Sequence, residues 1–177
     1  AATTALAVAL YLGVYTPLKH RTSIALLPGV ICGSLSPLIG WLAAGSGLME
    51  PAAWGLMVVF GLWQPPHFWL VVMVHPDDYL QRQVPSMLGI FSRAQLSRIL
   101  FTWIAMLGIS MLALPLTLGM TSPLLYALTL ANALLLIGLF GLLLLKQTGY
   151  RLLFAVLNIG VFTGVLLVTV ERLCGCI

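Results

Sequence analysis

The chain has 177 residues, of which 61% are hydrophobic and 7% carry a charge, against about a quarter charged in ordinary soluble domains. Eight Lys and Arg residues with four Asp and Glu residues cannot cover the surface of a soluble domain of this size, so soluble globular, disordered and collagen-like proteins are excluded. The net charge of +4 does not indicate a nucleic-acid partner, because basic residues in a membrane protein are sorted by membrane side.

Apolar stretches long enough to cross a lipid bilayer, at about 20 residues each, follow one another along the chain. Helices are expected, since backbone in lipid must satisfy its own hydrogen bonds and no ten-residue barrel alternation is present. The predicted fold class is therefore all-α, a polytopic transmembrane helix bundle that forms a single domain over residues 1–177. The six predicted spans are 1–18, 24–44, 53–74, 98–118, 124–145 and 152–172.

The distribution of basic residues predicts the orientation of these spans. When successive loops are assigned to alternate sides, seven of the eight basic residues fall on one face, which the positive-inside rule makes cytoplasmic. Both ends of the chain are then extracytoplasmic. The seven residues are Lys19, Arg21, Arg82, Arg93, Arg98, Lys146 and Arg151.

The loop after the third span carries the only acidic cluster of the chain, Asp77 and Asp78. Paired carboxylates at a membrane surface can ligate Mg²⁺, which prefers oxygen ligands and often keeps substrate phosphates as further ligands. Arg82 in the same loop and Lys19 with Arg21 in the first loop would supply the cations that a diphosphate–Mg²⁺ complex requires. We therefore predict that the two loops lie side by side, although a solvated loop that starts the next segment is an alternative.

The third span contains an unusually polar block, Trp63 to Trp69, with two consecutive prolines at its centre. Prolines in a membrane helix remove backbone donors, which is tolerated where neighbouring helices or a cavity compensate. Gln64 and His67 should face the protein interior or water rather than lipid. His67 lies about 15 Å along the helix from Asp77, which is compatible with a cavity that runs inward from the cytoplasmic loop. The alternative is a kink stabilised by the two side chains, without a ligand.

Five short sequence blocks, in their order along the chain, resemble the protoheme IX farnesyltransferase (haem O synthase) family of intramembrane aromatic prenyltransferases. The resemblance covers about residues 11–90, and the remaining three spans agree in number and placement. The blocks are Tyr15-Thr16-Pro17-Leu18-Lys19-His20-Arg21-Thr22, Ser36-Pro37-Leu38-Ile39-Gly40-Trp41, Trp63-Gln64-Pro65-Pro66-His67-Phe68-Trp69, Asp77-Asp78-Tyr79 and Val84-Pro85.

The resemblance implies a nine-helix bundle in the bacterial inner membrane, with an active site open to the cytoplasm. Members of the family transfer a farnesyl group from farnesyl diphosphate to a vinyl group of haem b, with Mg²⁺ as the cofactor. Asp77 and Asp78 would be catalytic and would ligate the metal. The residues implied in substrate binding are Tyr15, Lys19, Arg21, Gln64, His67, Tyr79 and Arg82.

The chain also departs from the family pattern. The Asn/Asp-rich motif of the family's N-terminal half is absent from this chain, as are about three helices. The chain therefore resembles only the C-terminal two-thirds of a family member. Ser86-Met87-Leu88 replaces the usual sequence after Val84-Pro85. We expect the 177-residue chain alone to be inactive. The alternative function is a non-catalytic membrane subunit that holds haem, quinone or lipid with other subunits of a respiratory complex.

Overall fold

The computed structural model of the chain describes residues 1–19, 21–22, 25–75, 91–146 and 149–174. Six helices and no strand are found within these ranges. The all-α prediction is thereby confirmed. The helices are α1 (Ala2–Leu18), α2 (Leu26–Ala43), α3 (Pro51–Val74), α4 (Arg93–Leu118), α5 (Pro123–Leu145) and α6 (Tyr150–Cys174).

Five of the six predicted spans are confirmed, because α2 to α6 are long and apolar enough to cross a membrane. The first segment, α1, is apolar but shorter, and lies at the lower limit of about 17 residues for a span. It contains a π-helical turn over Tyr11–Tyr15, which Thr16 closes by donating from its hydroxyl to the carbonyl of Tyr11 at 2.8 Å.

The start of α4 differs from the prediction, which placed it near residue 98. The helix begins at Arg93 because Ser92 and Gln95 form a reciprocal capping box. The Ser92 hydroxyl accepts from the backbone N–H of Gln95 at 3.3 Å, and the Gln95 side chain accepts from the backbone N–H of Ser92 at 2.9 Å. The basic residues Arg93 and Arg98 therefore lie on the first turns of the helix, where both are exposed.

Helices α3, α4, α5 and α6 form a four-helix unit in which each packs against the next and α6 returns to α3. Helix α2 packs on α3, and α1 packs on α2, so both lie outside this unit. Neighbouring helices run antiparallel; Gly55 at the start of α3, for example, lies against Leu114 and Thr117 near the end of α4. Helix α3 thus contacts three other helices, α2, α4 and α6.

The core of the bundle lies inside this four-helix unit. Its most enclosed side chains come from all four helices and include Leu70, Ile104, Phe140 and Leu157, each with 0% of its surface exposed. Many other apolar side chains, such as Phe162, are exposed, as expected for a surface that faces lipid rather than water.

The charged residues are divided between the two ends of the bundle. Six of the seven basic residues in the described part of the chain lie where α1, α3 and α5 end and the next helices begin, which agrees with their predicted grouping on one face. The opposite end carries Glu50 and the Glu171–Arg172 pair. The six grouped residues are Lys19, Arg21, Arg93, Arg98, Lys146 and Arg151.

Glu171 ties the turn between α4 and α5 to the end of α6. Its Oε1 accepts hydrogen bonds from the backbone N–H groups of Thr121 and Ser122, at 2.6 and 3.1 Å, and from the Thr121 hydroxyl at 3.2 Å. Arg172 donates to the carbonyl of Leu118 at 2.9 Å. Glu171 and Arg172 of α6 therefore bind, respectively, the backbone N–H groups and a backbone carbonyl at the same connection between α4 and α5.

Replacing Glu171 by Ala should lower the unfolding midpoint of the protein, because two backbone N–H groups would lose their acceptor. Unfolding in mixed detergent micelles measures this change. Glu50→Ala is the matched control, since Glu50 is exposed and accepts from the backbone N–H of Gly47, three residues away. Equal losses in both variants would contradict a special role for Glu171.

Candidate functional site

Gln64, near the middle of α3, faces the neighbouring helix α2. Its Nε2 donates to the carbonyl of Val30 on α2 at 3.3 Å and to the carbonyl of Phe60 on α3 at 3.1 Å. The side chain occupies the space left by the missing Cβ of Gly33. The prediction that Gln64 points into the bundle is confirmed by these contacts.

Gly33 is required for this arrangement, because a Cβ at this position would overlap the Gln64 amide. Gly33→Ala should therefore displace the Gln64 amide from its hydrogen bonds to Val30 and Phe60 and destabilise the protein by about 1 kcal/mol. Gly40→Ala on the same helix is the matched control, because a Cβ at Gly40 would meet nothing within 4 Å. The difference in unfolding midpoint between the two variants measures the effect, and identical midpoints would contradict it.

His67, one turn further along α3, faces α6. Its Nδ1 lies 2.8 Å from Oδ1 of Asn158, and its ring lies 4.5 Å from the Trp63 ring and 5.1 Å from the Phe154 ring, centroid to centroid. His67 thus bridges α3 and α6 in the interior of the bundle, as predicted. Helix α3 continues through the buried residues Pro65 and Pro66 as a single element.

Asn158 was not predicted from the sequence as a site residue. The chain has two asparagines, Asn132 and Asn158, and both lie in the middle of apolar spans. An amide at this depth needs a polar partner, just as Gln64 and His67 do. This requirement could have predicted from the sequence that Asn158 faces the protein interior. We name Trp63, Gln64, His67 and Asn158 the mid-bundle cluster.

Lys19 and Tyr15 lie together at the end of the bundle that carries most of the basic residues. The Lys19 ammonium lies 5.8 Å from the centre of the Tyr15 ring, within cation–π range. The Tyr15 ring is close to Gly29, where a Cβ would approach it to 3.0 Å. Tyr15 and Gln64 therefore contact adjacent residues of α2, Gly29 and Val30.

The predicted site residues are thus only partly brought together by the structure. Tyr15 and Lys19 lie together at the basic end, and Gln64 contacts α2 at Val30, next to the Gly29 on which Tyr15 packs. His67 faces α6 instead, and Arg21 is exposed at the basic end. The other predicted site residues lie outside the described ranges, and their proximity to the Lys19–Arg21 loop stays a prediction. They are Asp77, Asp78, Tyr79 and Arg82.

No group of three or more His, Cys, Asp or Glu side chains suited to a metal ion occurs among the residues that the structure describes. The predicted Mg²⁺ ligands, Asp77 and Asp78, are not among these residues. Their residue type suits the metal, because two adjacent carboxylates can ligate Mg²⁺ when substrate phosphates complete the coordination.

Two helices flank the mid-bundle cluster and meet at the other end of the bundle. The Arg172 guanidinium of α6 lies 5.6 Å from the centre of the Trp41 ring of α2. Between that contact and the basic end, Gln64 of α3 contacts α2 and His67 of α3 contacts Asn158 of α6. The arrangement therefore combines polar groups at mid-depth with a group of six described cations at one end of the bundle.

Comparison with known proteins gives several similarities. The UbiA prenyltransferase family matches residues 1–162. The "Protoheme IX farnesyltransferase" of Geobacter sulfurreducens is 42% identical over 119 residues, which are 67% of this chain and 44% of that protein. The protein of the same name from Oleidesulfovibrio alaskensis is 35% identical over 170 residues, which are 93% of this chain and 57% of that protein.

The chain spans about half the length of these curated relatives. No solved structure matches it significantly. The family match extends over most of the chain and includes Tyr15, Lys19, Gln64, His67 and Asn158. The chain belongs to the UbiA prenyltransferase family.

Proposed function

We propose that the protein transfers a farnesyl group from farnesyl diphosphate to a vinyl group of haem b, giving haem O. The observation that carries this proposal is the 35% identity to a protoheme IX farnesyltransferase over 93% of the chain. The distribution of polar groups supports it, because cations at one end of the bundle suit a diphosphate and the polar groups at mid-depth suit an acceptor.

In this proposal the basic end of the bundle binds the diphosphate. Lys19, Arg21 and Arg82 would attract its negative charge, and Tyr15 and Tyr79 would line the same region. Tyr15 supports the position of Lys19 through the cation–π contact and packs on Gly29. As the allylic C–O bond breaks, charge builds on the diphosphate, and fixed cations stabilise that charge more in the transition state than in the ground state.

Asp77 and Asp78 would hold the Mg²⁺ ion of the diphosphate complex. The bound metal would supply Lewis-acid stabilisation of the leaving diphosphate. The two carboxylates would position the complex against the Lys19–Arg21 loop, while the apolar helices exclude water from the reactive allyl group. Gln64 and His67 would bind the acceptor at mid-depth in the bundle.

We further propose that the protein lies in the bacterial inner membrane as part of a nine-helix bundle. The Asp77–Asp78 loop and the basic end would face the cytoplasm, and both ends of this chain would be extracytoplasmic. Support comes from the grouping of six basic residues at one end of the bundle and from the greater length of the relatives.

A non-catalytic subunit that binds haem, quinone or lipid in a respiratory complex is the less favoured alternative. The relatives described above carry the name of an enzyme, which favours the catalytic proposal over this alternative.

The test is haem O formation from haem b and farnesyl diphosphate in membranes that contain the complete protein, with and without Mg²⁺. We expect haem O only when both substrates and Mg²⁺ are present, and none from the 177-residue chain alone. A complete, folded protein that forms no haem O, in an assay where a known relative does, would refute the proposed function.

A further inference from the structure

The hydrogen bonds of Asn158 determine which nitrogen of His67 carries the proton. Asn158 Nδ2 donates to the backbone carbonyl of Phe154 at 2.7 Å, and a carbonyl oxygen can only accept. The amide is therefore oriented with its Oδ1 toward His67, at 2.8 Å from Nδ1. An amide oxygen is also only an acceptor, so Nδ1 of His67 is the donor and carries the hydrogen.

The neutral imidazole in this tautomer has its lone pair on Nε2. Within the described part of the chain, Nε2 has no hydrogen-bond partner, and the indole N–H of the neighbouring Trp63 ring is buried without an acceptor. The Trp63 and Phe154 rings, at 4.5 and 5.1 Å from the His67 ring, limit its rotation. The cluster therefore contains a fixed imidazole with a free lone pair and an unused N–H donor nearby.

We propose that Nε2 of His67 is a ligand of the iron of the haem substrate, and that Asn158 is the positioning residue that fixes the tautomer and the orientation of the ring. The inference rests on the proposed function, since haem is the acceptor named there. Imidazole is a common haem ligand, and a hydrogen bond to its second nitrogen fixes the tautomer and strengthens the ligand. Coordination uses the Nε2 lone pair, and no bond is broken.

The purely structural reading is that His67 and Asn158 only join α3 to α6. The two readings differ in what a haem spectrum should show. A ligand changes the absorption and electron paramagnetic resonance spectra of bound haem when it is replaced, whereas a helix-joining residue changes stability alone.

The first experiment purifies the complete protein in detergent with haem b added and records these spectra. His67→Ala should remove the spectrum of imidazole-ligated haem, and free imidazole should restore it. His67→Met should keep an axial ligand but shift the spectrum and raise the reduction potential, because a thioether replaces the imidazole. A wild-type spectrum in both variants would overturn the inference.

The second experiment tests Asn158. Asn158→Leu, which has no acceptor, should weaken haem binding by about tenfold, a typical loss for removing an outer-shell partner. Asn158→Asp keeps the acceptor and adds charge, so it should retain the ligand and lower the reduction potential. Asn132→Leu is the matched control, because Asn132 also lies in an apolar span and donates to α6, at the Gly160 carbonyl. Equal haem affinities in Asn158→Leu and Asn132→Leu would contradict the positioning role.

The outcomes also separate this inference from the proposed function. If the unaltered protein forms haem O but the haem spectrum does not respond to His67 variants, the inference fails and the function stands. If the unaltered, folded protein neither binds haem b nor forms haem O, both fail.

Discussion

Replacing Asp77 and Asp78 together by Asn should lower haem O formation by the complete protein at least about 100-fold, a loss typical of removing a group that stabilises transition-state charge. Asn keeps the size of the side chain and one oxygen ligand but removes the charge that makes Mg²⁺ binding favourable. Initial rates in membranes with equal amounts of each variant, with Mg²⁺ varied, measure the effect.

The control for this variant is Glu50→Gln. Glu50 is a carboxylate at the opposite end of the bundle from the basic residues, so its loss should leave the rate and its Mg²⁺ dependence unchanged. Retention of full activity in the double Asn variant would rule out a role of Asp77 and Asp78 in metal binding. A loss in both variants alike would indicate damage to folding and not to the metal site.

Replacing Phe140 by Ala should lower the free energy of unfolding by about 3 kcal/mol, the low end of the range for a buried Phe. Phe140 is fully buried between the helices of the four-helix unit, so its removal leaves a cavity. We expect a loss at the low end of this range because lipid is as apolar as the core. The loss of stability then comes from missing packing contacts and not from the transfer of the ring out of water.

Phe162→Ala is the matched control for Phe140→Ala. Phe162 is 70% exposed on α6, where lipid can fill the space that the ring leaves. Its removal should change the free energy of unfolding by less than about 1 kcal/mol, as for other exposed sites. Denaturation of both variants in the same mixed micelles gives the comparison. Equal losses would show that Phe140 does not belong to a packed core.

The sequence by itself determined the spans and the depth of the polar residues. Hydrocarbon selects helices of sufficient apolar length whatever their neighbours are, so α2 to α6 could be predicted from composition alone. The same reasoning predicted that Gln64 and His67 face the interior, because a polar group in lipid needs a partner wherever the partner is. Helix α4 begins at Arg93 and not near residue 98 as predicted, because a local capping box, and not hydropathy, sets that boundary.

Only the tertiary structure decided which groups are partners. His67 pairs with Asn158, which is 91 residues away in sequence, and Glu171 pairs with Thr121 across 50 residues. Hydropathy cannot encode such pairings, because lipid tails are as apolar as the helices and do not favour one helix neighbour over another. The choice depends on close packing at small residues such as Gly33 and on individual hydrogen bonds, which exist only once the helices have assembled.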